Sequence, residues 1–306
     1  MRNLSLSAPV QSMIQNLVEH FITTSPITDA RALVRLAMDN HMKVGKHYGS
    51  YEDLYDIAEY ALNNYAINYL TSSIIENIDL MSELQKMLPT YENPADRLDY
   101  NFRSAPLVIG YLISILSRPS ASDIFLDPSA GTGGLATFIN RTKSRIIVNE
   151  VGSFRYQLPQ SNLMYSKVFN EDDCHIHEHP KFIDAPVSKV IVNPRVSMGK
   201  KGGKEALMRI ANSLLSSYQV LKENGTMIAL LNCEFNAGCM AFKHFLKNAA
   251  NVRVSLNAEL DLRSLKVKEA AFRPKIMIIH NYDLGIKLYS PPTLNLATLH
   301  EYLDGA

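Results

Sequence analysis

Two short stretches of this chain concentrate residues that could do chemistry. The first, FLDPSAGTGGLA at Phe125–Ala136, ends an apolar run at Asp127 and then passes through Ser129, Gly131 and Gly133. Glycines at this spacing permit a tight turn and close backbone approach to a ligand, with N–H groups exposed at the start of a helix predicted near Gly134. No Gly-Lys-Ser/Thr follows, so this is not a phosphate-binding lysine loop, and the full G-x-G-x-x-G fingerprint is absent. The next apolar run, RIIVNEV, ends in Glu150, where an acid can accept hydrogen bonds from a ribose diol. A sharp turn plus a solvated acid is the plainer alternative; the pairing of turn and acid favours a nucleotide site. The second stretch is VIVNPRVSM at Val190–Met198. There Asn193 could bind a polar substrate group and Arg195 could recruit phosphate or carboxylate, or the segment is a structural turn.

Three further groups carry weaker signals. Lys200, Lys201 and Lys204 in GKKGGKEA follow the second stretch on a glycine-rich loop. They could contact a nucleic-acid backbone and close over a site, or form a solvated loop. His175, His177 and His179 in CHIHEH would share one side of an extended chain. With no matching carboxylate or Cys-x-x-Cys arrangement, an exposed edge is the expectation and no metal is assigned. Cys233 and Cys239 read as small, partly buried side chains and not as nucleophiles.

The elements that must position these residues fall into two groups. Apolar residues recur at helical spacing in Val10–Ile22, in TDARALVRLAMDNHMK, in the segment opened by Ser50 with Asp53 three residues on, and from Ile74 to Leu88. Tyr51, Tyr55, Tyr60, Tyr65 and Tyr69 recur at roughly helical spacing, which predicts packing. PTYENPAD is the best boundary, giving a helical region over 1–92 and a second region over 93–306. In the second region, after the apolar helix SAPLVIGYLISIL, come strand-like runs: DIFLDPS, RIIVNEV, SKVIVNP, GTMIALLN, VRVSLN and KIMIIHNY. Alternation with helical patterns predicts an α/β sandwich around a mostly parallel sheet, with the last run antiparallel at or near its end.

Composition bounds the reading without choosing one. The 306 residues are 46% hydrophobic and 20% charged, with a net charge of +1, so no overall field advertises nucleic acid or an acidic membrane. Three cysteines without a metal-type pair fit a reducing compartment. The N-terminal stretch lacks signal-peptide features and no apolar run is long enough for a bilayer, so the expectation is a cytoplasmic protein with no membrane partner.

DPSAGTGGLA resembles the cofactor motif of S-adenosylmethionine-dependent methyltransferases, particularly the adenine-N6 DNA methyltransferases. YNFRSAPLVIGYL is similar to the segment those enzymes place before the first strand, with Phe102, Ser104 and Pro106 as the loose match. FNEDD occupies the place of the acid that contacts the adenine, Asp172 or Asp173. The resemblance covers approximately residues 100–282 and implies a seven-stranded Rossmann-like methyltransferase sandwich preceded by the helical region. It implies S-adenosylmethionine held by Phe102, Ser104, Asp127, Ser129, Gly131, Gly133, Glu150 and Asp172 or Asp173.

It also places the reaction centre at Asn193, Pro194, Arg195 and Val196. In the family this strand end reads Asp/Asn/Ser-Pro-Pro-aromatic: the first side chain and a backbone carbonyl orient an exocyclic amine, and the ring stacks on the extruded base. Here Asn193 and Pro194 match, while Arg195 replaces the second proline and Val196 the aromatic. Loss of the ring removes a contact worth about 1–3 kcal/mol per base, and Arg195 sets a cation beside a sulfonium. The expectation is an adenine-N6 DNA methyltransferase homologue with altered chemistry, or a non-catalytic methyltransferase-like module acting with DNA-modification machinery. Only LGIKLYSPPTLNLATLHEYLDGA follows the last predicted strand. DNA as the partner would then be recognised through the helical region or a second protein.

Overall fold

A computed structural model describes residues 6–23, 26–27, 29–42, 50–89, 104–162, 165–179, 186–194, 203–267, 273–282 and 293–305. The N-terminal region contains α1 (Ala8–Ile22), α2 (Ala30–Asp39), α3 (Tyr51–Ala66) and α4 (Ile74–Gln85). In α1, Val10, Met13, Leu17 and Phe21 are buried, the one-sided stripe expected of a helix packed on a core. The capping box that opens α3 is present: the Asp53 N–H donates to Ser50 Oγ at 3.2 Å and the Ser50 N–H to Asp53 Oδ2 at 2.9 Å. Such a cap supplies partners for otherwise orphaned helix donors.

Helix α3 differs from its neighbours in being buried on nearly every side, including Asp56, Glu59 and Asn63. It packs against α1 and reaches the sheet domain, so its acids leave water only because partners there receive them. Of the tyrosines, Tyr65 packs on Phe21 and on Tyr69, with centroids 5.6 and 4.6 Å apart. The Tyr60 hydroxyl lies 3.3 Å from Ser161 Oγ, outside the helical region. The next helix, α5 (Leu107–Leu116), is joined to α4 by Asn77 Nδ2 donating to the Tyr111 hydroxyl at 2.7 Å and by the Leu107 N–H donating to Gln85 Oε1 at 2.9 Å.

The strands are β1 (Ile124–Asp127), β2 (Arg145–Asn149), β3 (Tyr165–Phe169), β4 (Val187–Val192), β5 (Leu221–Asn232), β6 (Val252–Leu260), β7 (Pro274–Asn281) and β8 (Thr293–Leu294). They form one sheet in the order β3-β2-β1-β4-β5-β7-β6-β8. All pairings are parallel except those of β7, which is antiparallel to both β5 and β6. The predicted sandwich and its six apolar strands are therefore present, with one difference. The sheet has eight strands because a two-residue strand, β8, adds to the edge of β6. The antiparallel strand lies near the end of the sheet, as expected, inserted between β5 and β6 so that both of its edges are hydrogen-bonded by neighbours.

Both faces of the sheet are covered. One carries the N-terminal helices, α5 and α9 (Leu296–Gly305), in a single apolar core with Phe125, Ile146, Ile191 and Ile278. The other packs Leu126, Ile147, Val190 and Met227 against α7 (Gly203–Gln219) and α8 (Met240–Asn248). A short helix, α6 (Gln157–Gln160), precedes β3. Strand order reverses between β1 and β4, so the ends of these strands open a crevice of the kind that binds ligands in open α/β sheets.

After β1 the predicted α-helix is replaced by a turn and a 3-10 helix, Thr137–Thr142. Two glycines in succession and a threonine that back-bonds, its Oγ1 donating to Gly133 O at 2.9 Å, weaken α-helix formation there. Helix α5 crosses this turn closely: a Cβ built on Gly110 would lie 2.3 Å from the Gly134 carbonyl oxygen. Gly110→Ala is therefore expected to destabilise the protein by about 1–3 kcal/mol despite alanine's better helix propensity, measured as a lower midpoint of urea unfolding.

Candidate functional site

The site forms where β1, β2 and β4 end. Asp127, fully buried, accepts the Ser129 N–H through Oδ1 at 3.2 Å, while its Oδ2 is buried with no hydrogen-bond partner among the described residues. The chain then turns through Gly131 at φ +56° and Gly133 at φ +89°. Both lie in the region that disfavours side chains, but for different spatial reasons. A Cβ on Gly133 would meet the Tyr165 hydroxyl at 2.4 Å, whereas no described residue lies within 4 Å of one on Gly131. Gly133 is therefore packed, and Gly131 faces space that is open among the described residues.

Hydrogen bonds from β2 hold the turn in place. The Asn149 carbonyl accepts the Ala130 N–H at 2.8 Å, and its side chain donates to Pro128 O at 2.8 Å and to Glu171 O at 2.9 Å. The buried Glu150 accepts the Gly131 N–H at 2.8 Å through Oε2 and the Gly152 N–H at 2.7 Å through Oε1. A carboxylate has about four acceptor positions, so each oxygen keeps one for a ligand hydroxyl. From β4, the Asn193 carbonyl accepts the Ser129 hydroxyl at 3.4 Å, and Asn193 and Pro194 are buried. Asp127, Ser129, Gly131, Gly133, Glu150 and Asn193 are thus brought together from three strands.

A second layer comes from α3. Thr132 donates its hydroxyl to Glu59 Oε2 at 2.9 Å and receives Asn63 Nδ2 at 3.3 Å. Ser104 lies close enough to Glu59 to favour its charged form. Arg155 forms a fork to Asp56, with Nε to Oδ2 at 2.6 Å and Nη2 to Oδ1 at 3.0 Å, both side chains being buried. Bidentate pairing of this type suits a buried guanidinium. The motif reading missed Asp56, Glu59, Asn63, Thr132, Asn149 and Arg155. One signal was available: Asp56, Glu59 and Asn63 line one side of an apolar helix at i, i+3 and i+7.

Burial sets the electrostatics. It pushes the Asp127 carboxyl up to about 8, against the Ser129 N–H and with the Glu150 charge adding to the rise. It pushes Glu59 up to about 7, with the Ser104 and Thr132 hydroxyls opposing and the Asp56 charge adding. Glu150 is raised too, mainly by burial, with its backbone hydrogen bonds and Arg155 opposing. Burial also opposes the charge of Arg155, but the Asp56 carboxylate more than offsets it.

Of the other expected site residues, Asp172 and Asp173 follow β3, Lys204 lies in α7, and several fall outside the described residues. Asp172 and Asp173 both bind Arg209 of α7, at 2.9 and 3.0 Å, and Asp173 also accepts from Ser213 at 2.7 Å. Their carboxylates are engaged by this helix and not by the glycine turn, and Asp172 is held down at about 2 against its partial burial by the Cys174 N–H and Arg209. Together with Cys174 they are close enough to hold a metal, but Arg209 already supplies a cation there. The histidines do not form an extended row. They lie on or beside a 3-10 helix, Asp173–Glu178, with His177 Nδ1 2.9 Å from Ser216 Oγ and His179 Nε2 3.1 Å from Glu171. Cys233 and Cys239 are half-buried, as expected. Lys204 is exposed in the first turn of α7, while Phe102, Arg195, Val196, Lys200 and Lys201 lie outside the described residues. No helix among the described residues is long and apolar enough to cross a membrane.

No protein-family model and no curated protein matches the chain. Solved structures do. One assigned to the class I S-adenosylmethionine-dependent methyltransferases, from Listeria monocytogenes, aligns over 96% of this chain and 94% of its own with 15% identity and a TM-score of 0.54. A methyltransferase-type structure from Streptococcus mutans in complex with SAH aligns over 56% of this chain and 96% of its own with 13% identity and a TM-score of 0.39. NSun6 from Pyrococcus horikoshii aligns over 60% and 53% with 12% identity and a TM-score of 0.43. The Listeria match carries the conclusion: the protein has the class I methyltransferase fold, and the match extends through the N-terminal helices.

Two outcomes follow from the buried charges. A carboxyl raised on folding releases its proton on unfolding, so stability is fully present below its unfolded value near 4 and is lost as pH rises to about 8 for Asp127. The melting temperature of the ligand-free protein should fall by at least about 2 °C between pH 5 and pH 8, the shift given by a loss of ~1 kcal/mol, and Asp127→Asn should flatten that slope. A pH-independent melting temperature would rule out the buried acid as described. Arg155→Ala strands Asp56 without its cation and should cost about 3–5 kcal/mol in chemical denaturation.

Proposed function

We propose that the protein is a homologue of adenine-N6 DNA methyltransferases that binds S-adenosylmethionine over the glycine turn. One observation carries the cofactor part: the positive-φ Gly131, with no described residue within 4 Å of where its side chain would lie, donates its N–H to the buried Glu150 carboxylate. These groups fit the ligand's chemistry. The turn lets backbone approach it, Glu150 can accept from a ribose diol, and buried acids match a ligand with a sulfonium and an ammonium. Bound there, the cofactor supplies an activated methyl group. The chain's own part is positioning: Asn193, buried at the end of β4 and tied to the turn through Ser129, is sited to orient a polar acceptor.

Arg195 and Val196 favour a second reading, a non-catalytic methyltransferase-like module that assembles with DNA-modification machinery. Under either reading, residues 1–92 and 93–306 are a helical unit and a methyltransferase-like unit, and DNA, reached through Lys200, Lys201 and Lys204 or through a protein partner, is the macromolecular target.

Calorimetry with S-adenosylmethionine tests the shared claim. The wild type should bind, and Gly131→Arg, which fills the open space at a positive φ, should weaken binding at least about tenfold, ~1.4 kcal/mol. Failure of the wild type to bind would sink the cofactor reading. Labelled-methyl transfer to pools of DNA, RNA and protein then separates the two readings, with Arg195→Pro/Val196→Phe as the control that restores the family pattern. Transfer to DNA adenine by the wild type supports the enzyme. Silence of the wild type beside an active control supports the module.

A further inference from the structure

The densest group of buried ionisable side chains among the described residues lies where α3 meets the glycine turn. It holds four acids, Asp56, Glu59, Asp127 and Glu150, and one guanidinium, Arg155. Arg155 is spent on Asp56, to which it donates twice. Glu150 receives two backbone N–H groups. Glu59 has the Thr132 hydroxyl and lies beside Ser104, neither of them a cation, and Asp127 has one N–H and a buried oxygen with no partner among the described residues. Among the described residues, neither Glu59 nor Asp127 is hydrogen-bonded to a cation, and only Arg155, already bound to Asp56, lowers Glu59 by its charge. Such an arrangement is costly unless the acids are neutral or meet a cation.

Their placement says which part of a ligand they await. Glu59 reaches the turn at Thr132, one residue past the open space at Gly131, and stands between the turn and the segment before α5. Glu150 closes the turn from β2, on the side suited to a sugar. We propose that Glu59, carried by α3 of the N-terminal region, completes with Asp127 the subsite for the ammonium-bearing amino-acid end of the adenosyl cofactor. This rests on the S-adenosylmethionine reading above. An ammonium is a compact charge with three donors, which suits buried acids that no described cation pairs. The N-terminal helices then supply one wall of the cofactor site, and cofactor binding draws α3 and the sheet domain together.

Binding a cation at acids that are raised in the empty protein should expel protons. Glu59 is faced by Asp56 and Arg155, and Asp127 by Glu150 and Tyr165, and burial is the leading cause of both rises. Calorimetry of the wild type at pH 6.5 in buffers of different ionisation enthalpy should show net proton release on binding S-adenosylmethionine. No release would overturn the proposal.

Ligand comparison gives the second readout. Glu59→Gln keeps an acceptor for Thr132 and removes the charge. It should weaken S-adenosylmethionine and S-adenosylhomocysteine by about tenfold or more, ~1.4 kcal/mol. It should change 5′-deoxy-5′-methylthioadenosine, which lacks the amino-acid end, by less than about twofold (~0.4 kcal/mol). Equal weakening of all three, or of none, would overturn the proposal by making Glu59 a support for the turn or a bystander. A wild type that binds none of them sinks the cofactor reading itself, so the two failures are distinguishable.

Discussion

The hydrogen bond from the Gly131 N–H to Glu150 is the constraint on which the rest of the site depends. It requires a left-handed backbone at Gly131, which a side chain would strain. It also requires β2 to end beside β1 in parallel register, with Asp127 opposite Val148 and Glu150 two residues beyond. In return it leaves a buried carboxylate with a backbone N–H on each oxygen. Asn149 secures the same junction by tying the turn to the loop after β3. The described backbone of the glycine turn is thus held from the neighbouring strand.

Around that junction the fold gathers negative charge instead of dispersing it. Helix α3 brings Asp56 and Glu59 out of water against a domain that already buries Asp127 and Glu150, and Arg155 balances one of the four. A buried pair such as Asp56 and Arg155 adds little net stability over an apolar pair, but it fixes geometry, since either member alone is penalised heavily. The Thr132 and Asn63 contacts act similarly, locking the glycine turn to the helix. The helical region shares one core with a face of the sheet, so the turn is held from above and below.

Much of this was legible in the sequence, and the residues show why. Most of the apolar runs are strands buried on two faces, which must read as continuous hydrophobic segments, whereas VRVSLN in β6 keeps exposed Arg253 and Asn257. β3, Tyr165–Phe169, has no such run because it lies at the sheet edge with partly exposed residues, and local pattern could not announce it. The capping box at Ser50 and Asp53 was readable since its bonds are local. The 3-10 helix after the glycine turn was not, because Gly133, Gly134 and Thr137 acted against a hydrophobic pattern that suggested a full helix.

By itself, the sequence determined the strand-forming segments, the glycine turn ending in a positive-φ backbone, and the acid at the end of the following strand. All are set by short-range sterics, periodicity and spacing. Only the tertiary structure decided what those residues meet. It directed Asp172 and Asp173 to Arg209, inserted β7 between β5 and β6, and laid Glu59 and Asn63, some seventy residues upstream, on Thr132. Charge pairing and burial act between chain segments that only folding brings into contact, and no local pattern encodes which of them will be neighbours.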